Sequence, residues 1–257
     1  MTTSAIELSH VSKTFENGFH AMEAVDLTIE PGEFVSIVGV SGCGRSTLLR
    51  ILAGLTPATT GTVEVHGTAV TGPRRDVGLM FQRSALLDWK TALENVLVPT
   101  GLRGRIKDSD VREAMRILDL FGLDGFAYRF PRQLSGGMQQ RVALARLLMT
   151  GAGVRLLDEP FGAVDELTRE HLNLELLKVH EQGDSTTVLV THNIFEAVLL
   201  SDRIIVMTPR PGTITADIIV PLKRPRSVDM VQTAEFQRIA ADVRARLDGP
   251  GGGTSDE

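Results

Sequence analysis

The chain has 257 residues, of which 42% are hydrophobic and 23% charged, and its formal net charge is −5. This length is enough to bury a full hydrophobic core, either as one large domain or as one core with an inserted subdomain. A net negative charge disfavours a nucleic-acid-binding surface, which is usually strongly basic, so we expect no nucleic-acid partner.

Cysteine usage and hydropathy predict the compartment. The single cysteine, Cys43, allows no internal disulfide, which favours a reducing intracellular environment. No run of about 18 apolar residues is present, and the first residues lack the basic and apolar stretches of a secretory signal. We therefore expect a cytosolic chain, which can still sit on a membrane-embedded partner.

The first part of the chain predicts strands and turns, interrupted by one helix. Runs rich in β-forming residues and bounded by turn residues predict strands at 6–11, 24–29, 33–38, 61–65 and 77–81. The third of these strands ends at Gly39, and the spacing of apolar residues predicts a helix at 46–55. Strand, glycine-rich loop and helix thus follow in the order that a phosphate-binding site needs.

The middle of the chain is helical, and strands return after it. The pattern is helical from about residue 87 to 149, where Asp110 and Glu113 predict a helix start and Gly122 a helix end. We expect an α/β core with an early β-layer and an inserted helical subdomain at about 87–149, all within one domain at 5–247. Residues 248–257 are Gly-rich and polar, which predicts a disordered tail. The later strands are predicted at 154–157, 187–190 and 204–207.

Residues 39–46 read G-V-S-G-C-G-R-S, close to the phosphate-binding pattern G-x-x-x-x-G-K-[ST]. In that pattern backbone N–H groups face the phosphates, the basic residue reaches the terminal phosphates, and the hydroxyl binds Mg²⁺. The alternative is a chance Gly-rich turn, which the position before a helix N-terminus disfavours. The phosphate-binding residues predicted here, with Ser46 also on Mg²⁺, are Gly39, Val40, Ser41, Gly42, Cys43, Gly44, Arg45, Ser46 and Thr47.

Residues 154–159 read V-R-L-L-D-E, a strand that ends in two adjacent carboxylates. Asp158 can hold Mg²⁺ through water, and Glu159 can polarise an attacking water. An acidic pair alone is usually a solvated strand end, but here it follows a phosphate loop at a suitable distance, which favours a functional pair. Arg155 is a charge inside this apolar strand, and it could lie on the sheet edge or pair with an acid.

Residues 134–141 read L-S-G-G-M-Q-Q-R, and with the two motifs above they make the chain resemble an ATP-binding cassette (ABC) ATPase. The resemblance covers nearly the whole chain, and it implies a P-loop NTPase (RecA-like) core that binds ATP and Mg²⁺. It also implies that Ser135, Gly136 and Gly137 close over the γ-phosphate of ATP held by a partner subunit. A head-to-tail dimer with two composite sites follows, and we expect a homodimer.

Four further positions match the family's pattern. Phe15 resembles the aromatic residue that stacks on adenine, although tyrosine is commoner there and a lone Phe is more often part of a core. Gln82 matches the glutamine that touches Mg²⁺ and the attacking water and links them to the transmembrane partner. Asp165 matches the loop residue that crosses the dimer interface, and His192 matches the switch histidine that contacts the γ-phosphate. We expect no metal site beyond the Mg²⁺ of the nucleotide.

Three segments, 80–96, 158–169 and 207–214, resemble importers of the nitrate, sulfonate and taurine type. This similarity implies a permease of two membrane subunits, an extracytoplasmic solute-binding protein and a peripheral position on the cytoplasmic face of the membrane. Trp89, the only tryptophan, would then lie near the surface that meets the permease, and a core aromatic is the alternative.

Arg45 is the main departure from the family pattern, because lysine is expected at this position. Arginine keeps the positive charge but has a wider, planar group with a different donor geometry. We therefore hypothesise that binding of ATP and Mg²⁺ is retained while turnover is slowed. The rival interpretations are a nucleotide-dependent clamp that scarcely hydrolyses ATP and a soluble ABC protein outside transport.

Overall fold

The structure is a computed structural model that describes residues 3–248. Its strands are β1 (Ile6–Thr14), β2 (His20–Ile29), β3 (Phe34–Gly39), β4 (Thr60–Val65), β5 (Thr68–Ala69), β6 (Val77–Met80), β7 (Val154–Asp158), β8 (Thr186–Val190), β9 (Arg203–Met207) and β10 (Ile214–Ile219). Its α-helices are α1 (Arg45–Leu52), α2 (Ala92–Val96), α3 (Val98–Arg103), α4 (Asp108–Leu120), α5 (Gly136–Leu148), α6 (Glu166–Glu181), α7 (Ile194–Leu200) and α8 (Ala234–Asp248). The contacts divide the chain into a first unit, Met1–Pro73 with Thr186–Glu257, and a second unit, Arg74–Ser185.

The first unit contains an antiparallel sheet with the strand order β2-β1-β4-β5. Leu8 on β1 pairs with Leu27 on one side and with Val63 on the other, so apolar side chains of three strands meet on one face. All three of these side chains are buried, as expected for an antiparallel sheet that covers a core with one face.

The same unit contains strands in the order β10-β9-β3-β8, of which β9, β3 and β8 run parallel. Every residue of β3 is buried, which is typical of a parallel strand covered on both faces. Because the strands are parallel, β3 and β8 end at the same edge, where Gly39 and Thr191 begin their loops.

The second unit pairs β6 and β7 in parallel, with Val77 opposite Val154 and Met80 opposite Leu157. Both strands therefore end at one edge, where Gln82 and Asp158 lie. The segment between these strands is helical, and its helix α5 begins directly after Ser135. This unit brings together the carboxyl ends of two strands and the N-terminus of a long helix.

The predicted α/β fold with an early antiparallel layer is confirmed, and residues 87–149 contain helices and turns but no strand. Each predicted strand has a counterpart with ends shifted by a few residues. Helix α4 begins at Asp108, before the predicted start at Asp110, because the Lys107 amide donates to the Asp110 carboxylate and closes the first turn. Gly122, with a φ of 63°, follows the end of this helix as expected.

Three other expectations concern particular positions. Trp89 has 73% of its surface exposed, so the interpretation as a core aromatic was wrong. Arg155 lies opposite Gly78 in the strand pair, and among the described residues its Nε and Nη1 atoms have no hydrogen-bond partner. Burial lowers the pKa of Arg155. The predicted tail lies outside the described residues except for Asp248, which ends α8.

No helix within residues 3–248 has the length and apolar character needed to cross a bilayer.

Candidate functional site

The phosphate loop (residues 39–47) joins β3 to α1 and depends on glycines at its close approaches. A Cβ on Gly39 would lie 2.7 Å from the Sγ of Cys43 and 2.9 Å from the carbonyl oxygen of Met207. Gly44 has a φ of 101°, and a Cβ there would lie 2.7 Å from the Cγ of Met22. Larger residues are thus excluded at both positions, and the loop holds its bend.

The exposed side of the phosphate loop is formed by Val40, Ser41 and Gly42, whereas Cys43 is a buried free thiol beneath it. Gly44 occupies the N-cap position of α1 and has no side chain that could cap the helix. The positive end of the helix dipole is therefore open to an anion rather than to a capping carboxylate or hydroxyl. This arrangement fits the phosphates of a nucleotide.

Arg45 is the first residue of α1, and its side chain turns into the protein. It is only 7% exposed, and its Nη1 donates a hydrogen bond of 2.7 Å to the carbonyl oxygen of Thr191. Thr191 directly precedes His192 in the loop after β8. The guanidinium at the lysine position therefore contacts the segment that carries the predicted switch histidine.

The segment before and after His192 is held by a partly buried hydrogen-bond network. The Thr191 hydroxyl donates to the Glu196 carboxylate and accepts from the Asn193 amide at 3.0 Å. The Asn193 side chain caps α7 by accepting from the Glu196 amide at 3.1 Å. His192 itself is exposed, so its imidazole is accessible to a ligand while its backbone is held from both sides.

An aromatic and cationic cluster lies near the phosphate loop. The Phe15 ring is 37% exposed, and its centroid lies 5.9 Å from that of Phe19. Lys13 Nζ lies 5.1 Å from the Phe15 centroid, and the Arg210 guanidinium carbon lies 4.8 Å from the Phe19 centroid. Arg210 is also 3.8 Å from the position of a Cβ on Gly42.

Sequence reasoning missed Phe19 and Arg210 as neighbours of the predicted nucleotide-binding residues. The only sequence feature that could have indicated Arg210 was its position inside the segment 207–214. The family resemblance of this segment gives it no role in nucleotide binding. The role of Phe15 as the adenine-stacking residue stays a prediction. Its exposed ring offers a face on which a base can stack.

Gln82 and Glu159 meet in the second unit, as their positions after parallel strands require. The Gln82 Nε2 donates to a Glu159 carboxylate oxygen at 3.0 Å. Glu159 has a φ of 48°, so the chain turns sharply directly after Asp158. Asp158 is 6% exposed at the end of β7. The Asp158 carboxylate and the amide oxygen of Gln82 are the hard oxygen donors that Mg²⁺ prefers.

Ser135 and Asp165 each cap a helix in this unit. The Ser135 hydroxyl accepts from the Met138 amide at 3.2 Å at the start of α5, and Asp165 accepts from the Thr168 amide at 3.0 Å at the start of α6. The Thr168 hydrogen bond holds the pKa of Asp165 below its usual range, so this carboxylate is ionised at neutral pH.

Gly136 and Gly137 form the first turn of α5. A Cβ on Gly137 would lie 3.1 Å from the carbonyl oxygen of Ala163, so this position needs a small residue. The helix therefore begins with Ser135, whose hydroxyl occupies the Met138 amide, and with two glycines that add no side chain over the other amides of the first turn, which can face an anion.

The structure thus brings some of the predicted residues into contact, whereas Ser135 and Asp165 lie at the N-termini of two different helices. Arg45 contacts the segment of His192 in the first unit, and Gln82 contacts Glu159 in the second. Within residues 3–248 no group of three or more His, Cys, Asp or Glu side chains is arranged to hold a metal ion.

Comparisons with known proteins identify the family of the chain. A family model described as ABC transporter matches residues 22–162. An aliphatic sulfonates import ATP-binding protein, SsuB of Bacillus cereus, is 40% identical over 243 residues, which cover 95% of this chain and 94% of that protein. A taurine import ATP-binding protein, TauB of Roseobacter denitrificans, is 41% identical over 222 residues, which cover 85% of this chain and 83% of that protein.

A solved structure has the same fold. The dimeric ATP-binding cassette MJ0796, in a post-hydrolysis state bound to ADP and Pi, superposes with a TM-score of 0.77 at 35% identity. The superposition covers 85% of this chain and all of that one, which confirms the P-loop NTPase fold. The chain therefore belongs to the ABC transporter family, as an ATP-binding subunit that binds ATP with Mg²⁺ and hydrolyses ATP.

Proposed function

We propose that this chain energises the import of a small solute of the nitrate, sulfonate or taurine type. The observation that carries the proposal is the hydrogen bond between Gln82 and Glu159 at the ends of two parallel strands. It joins the residue expected to sense the permease to the residue expected to align water. The names of the sulfonate and taurine import relatives support the solute class.

Different residues of the chain have different roles in ATP hydrolysis. The phosphate loop binds the phosphates through its backbone, while Ser46, Gln82 and Asp158 would hold the metal. Bound Mg²⁺ supplies positive charge that polarises the terminal phosphate. Glu159 accepts a hydrogen bond from the attacking water, and the amide of Gln82 holds the carboxylate in one orientation. His192 contributes a hydrogen bond to the terminal phosphate, and the network around Thr191 keeps its backbone in place.

The proposed partners are a second copy of the chain, two permease subunits and, indirectly, an extracytoplasmic solute-binding protein. Ser135, Gly136 and Gly137 would close on the nucleotide of the second copy, with Asp165 at the interface. Exposed Trp89 supports a docking surface for the permease. The chain would accordingly reside at the cytoplasmic face of the membrane, without a nucleic-acid partner.

Co-expression with the permease subunits tests this function. We expect the chain to co-purify with the permease in detergent and to hydrolyse ATP faster in proteoliposomes when the solute-loaded binding protein is added. Co-purification with ribosomes or DNA and no stimulation by any permease would instead favour a soluble ABC protein outside transport.

The second candidate function is a clamp that binds ATP and hydrolyses it slowly, and Arg45 is the residue that favours it. Its guanidinium is buried and donates to the Thr191 carbonyl, so part of its donor capacity points at the protein. Because a misplacement of about 1 Å can cost about a hundredfold in rate, such a side chain can slow the chemical step while ATP binding persists.

Replacing Arg45 with lysine measures this effect. We expect Arg45→Lys to raise the turnover of the permease-bound complex by about tenfold or more, with little change in the KM for ATP. Arg50→Lys is the matched control, because Arg50 is an exposed residue of the same helix. Equal turnover in the native chain and Arg45→Lys would remove the argument for an impaired site.

A further inference from the structure

Gln140 connects two loops that have separate expected functions. It lies on α5, is 7% exposed, and uses both ends of its side-chain amide. Its Nε2 donates to the carbonyl oxygen of Gln82 at 3.2 Å, and its Oε1 accepts from the amide of Ala163 at 3.0 Å. One buried side chain thus links the Gln82 loop to the loop that leads to Asp165.

The orientation of this amide is dictated by its partners. A backbone carbonyl only accepts a hydrogen bond and a backbone N–H only donates one, so the Gln140 side chain satisfies both only as described. Glutamine is suited to this position because it combines a donor and an acceptor on one short planar group. Glutamate lacks the donor when ionised, and leucine lacks both groups.

Two neighbouring residues of α5, Arg146 and Gln139, hold the Gln82 loop but within residues 3–248 make no hydrogen bond to the Asp165 loop, whereas Arg141 of the same helix interacts electrostatically with Asp165. Arg146 donates to the carbonyl oxygens of Ser84 and Ala85 at 2.8 and 2.9 Å. Gln139 accepts from the Ser84 hydroxyl at 3.2 Å. Because these bonds join the Gln82 loop to α5, displacement of this helix would move the loop with it. Gln140 is the member of this set that also reaches Ala163.

We infer that Gln140 is a positioning residue that couples permease engagement at the Gln82 loop to closure of the dimer at Asp165. This inference rests on the proposed function, since it assigns the two loops to the permease and to the second copy. A shift of the Gln82 backbone moves the Gln140 amide, and the amide of Ala163 follows. Two residues later in the chain, Asp165 changes its approach to the partner subunit.

The test compares three variants with the native chain in the reconstituted permease complex. Gln140→Leu removes both hydrogen bonds, Gln140→Glu removes the donor and keeps the acceptor, and Ser84→Ala removes only the hydroxyl bond from the Gln82 loop to Gln139 on α5. We expect the stimulation of ATP hydrolysis by the loaded binding protein to fall about fivefold in both Gln140 variants, with unstimulated hydrolysis retained. Ser84→Ala is expected to keep its stimulation.

The pH dependence separates positioning from simple destabilisation. Burial raises the pKa of a carboxyl group, so the carboxylate introduced by Gln140→Glu gains a proton as the pH falls and again donates to the Gln82 carbonyl. Stimulation in Gln140→Glu should therefore recover at lower pH relative to the native chain, whereas Gln140→Leu should not recover. Native stimulation in Gln140→Leu, or an equal loss of stimulated and unstimulated hydrolysis, would overturn the inference.

Hydrogen–deuterium exchange provides a readout that needs no permease. In the native chain with a non-hydrolysable ATP analogue and Mg²⁺, protection of residues 163–165 by dimerisation should extend to residues 82–85. Gln140→Leu should keep the first protection and lose the second. If both segments are protected equally in Gln140→Leu, the coupling does not run through this residue. This result does not depend on stimulation by a permease, so a failure of the inference can be told apart from a failure of the proposed function.

Discussion

Arg226 is the most completely buried cation among the described side-chain ion pairs, with 1% of its side chain exposed. Its guanidinium donates to the carbonyl oxygens of Val198, Leu199 and Ser201 at 3.3, 3.0 and 2.8 Å, and also to that of Leu222. The last carbonyls of a helix have no partner within it, and a cation there is favoured by the helix dipole. Arg226 thus closes the end of α7, the helix that follows His192.

Replacing Arg226 with methionine should destabilise the protein by about 3 kcal/mol or more, because several carbonyls lose a charged donor in a buried position. Urea unfolding of the isolated chain measures this difference. Arg238→Met is the control, since Arg238 is exposed on α8, and it should stay within about 0.5 kcal/mol of the native chain. A loss below about 1 kcal/mol in Arg226→Met would mean that water replaces the guanidinium.

At the residue scale, the sequence predicts the identity of functional groups better than their partners. Gln82, Glu159 and His192 could be named because each follows a strand in a recognisable motif. The hydrogen bond from Arg45 to Thr191 spans 146 residues, and a carbonyl acceptor leaves no mark on the sequence. Gln140 was missed for the same reason, because both of its partners are backbone atoms.

At the element scale, the loop that presents Trp89 is built around one buried asparagine. Asn95, which is fully buried, accepts from the Leu87 amide at 2.8 Å. Its Nδ2 lies within hydrogen-bond distance of the carbonyl oxygens of Leu87, Lys90 and Thr91. These bonds close the loop before α2 and hold Trp89 outward, at the proposed permease surface.

Asn95→Leu should destabilise the protein by about 2–3 kcal/mol, since the loop's amide and carbonyls lose their partner in a buried place. Trp89 is the only tryptophan, so its fluorescence anisotropy should fall in this variant while the helical circular dichroism is retained. Asn173→Leu is the matched control. Asn173 is also buried in the second unit, but its Oδ1 has no hydrogen-bond partner among residues 3–248, so we expect a change near zero.

If Asn95→Leu leaves both the stability and the Trp89 anisotropy unchanged, the loop is held by other contacts. If Asn173→Leu is equally destabilising, the effect is one of packing rather than of loop closure.

The elements themselves were predicted where apolar runs are continuous and buried, as in β3, in which every residue is buried. Strand β10 was missed because its residues alternate between half-buried and exposed and it pairs on one side with β9. Strand β5 has two residues, too few for a pattern. The missed strands are thus edge or short elements, whose formation depends on their neighbours rather than on their own composition.

At the scale of the whole molecule, the predicted insertion at 87–149 describes the helical segment, whereas the compact second unit runs from Arg74 to Ser185. The unit is larger because β6, β7 and α6 group with the helices. Periodicity along the chain marks where helices lie, but grouping into units depends on long-range strand pairing such as that of Val77 with Val154, which no local pattern contains.

The proposed dimer predicts that an active site forms only when two copies of the chain combine. Each site would combine the phosphate loop and Glu159 of one copy with Ser135 of the other. Glu159→Gln removes the group that aligns water, and Ser135→Arg blocks the N-terminus of α5 with a long side chain. Each variant alone is expected to have almost no ATPase activity, because in a dimer of identical copies both sites carry the defect.

Mixing the two variants should restore hydrolysis. In a mixed dimer one site receives both defects and the other receives neither, so an intact site forms from the Glu159 of the Ser135→Arg copy and the Ser135 of the Glu159→Gln copy. The measurement compares the ATPase rate of the permease-bound mixture with the rate of each variant alone. As the control, each single variant is assayed at the total concentration of the mixture, so that only the composition of the dimers differs. A mixture no more active than its components would mean that each site is complete within one chain, and the two composite sites would have to be abandoned.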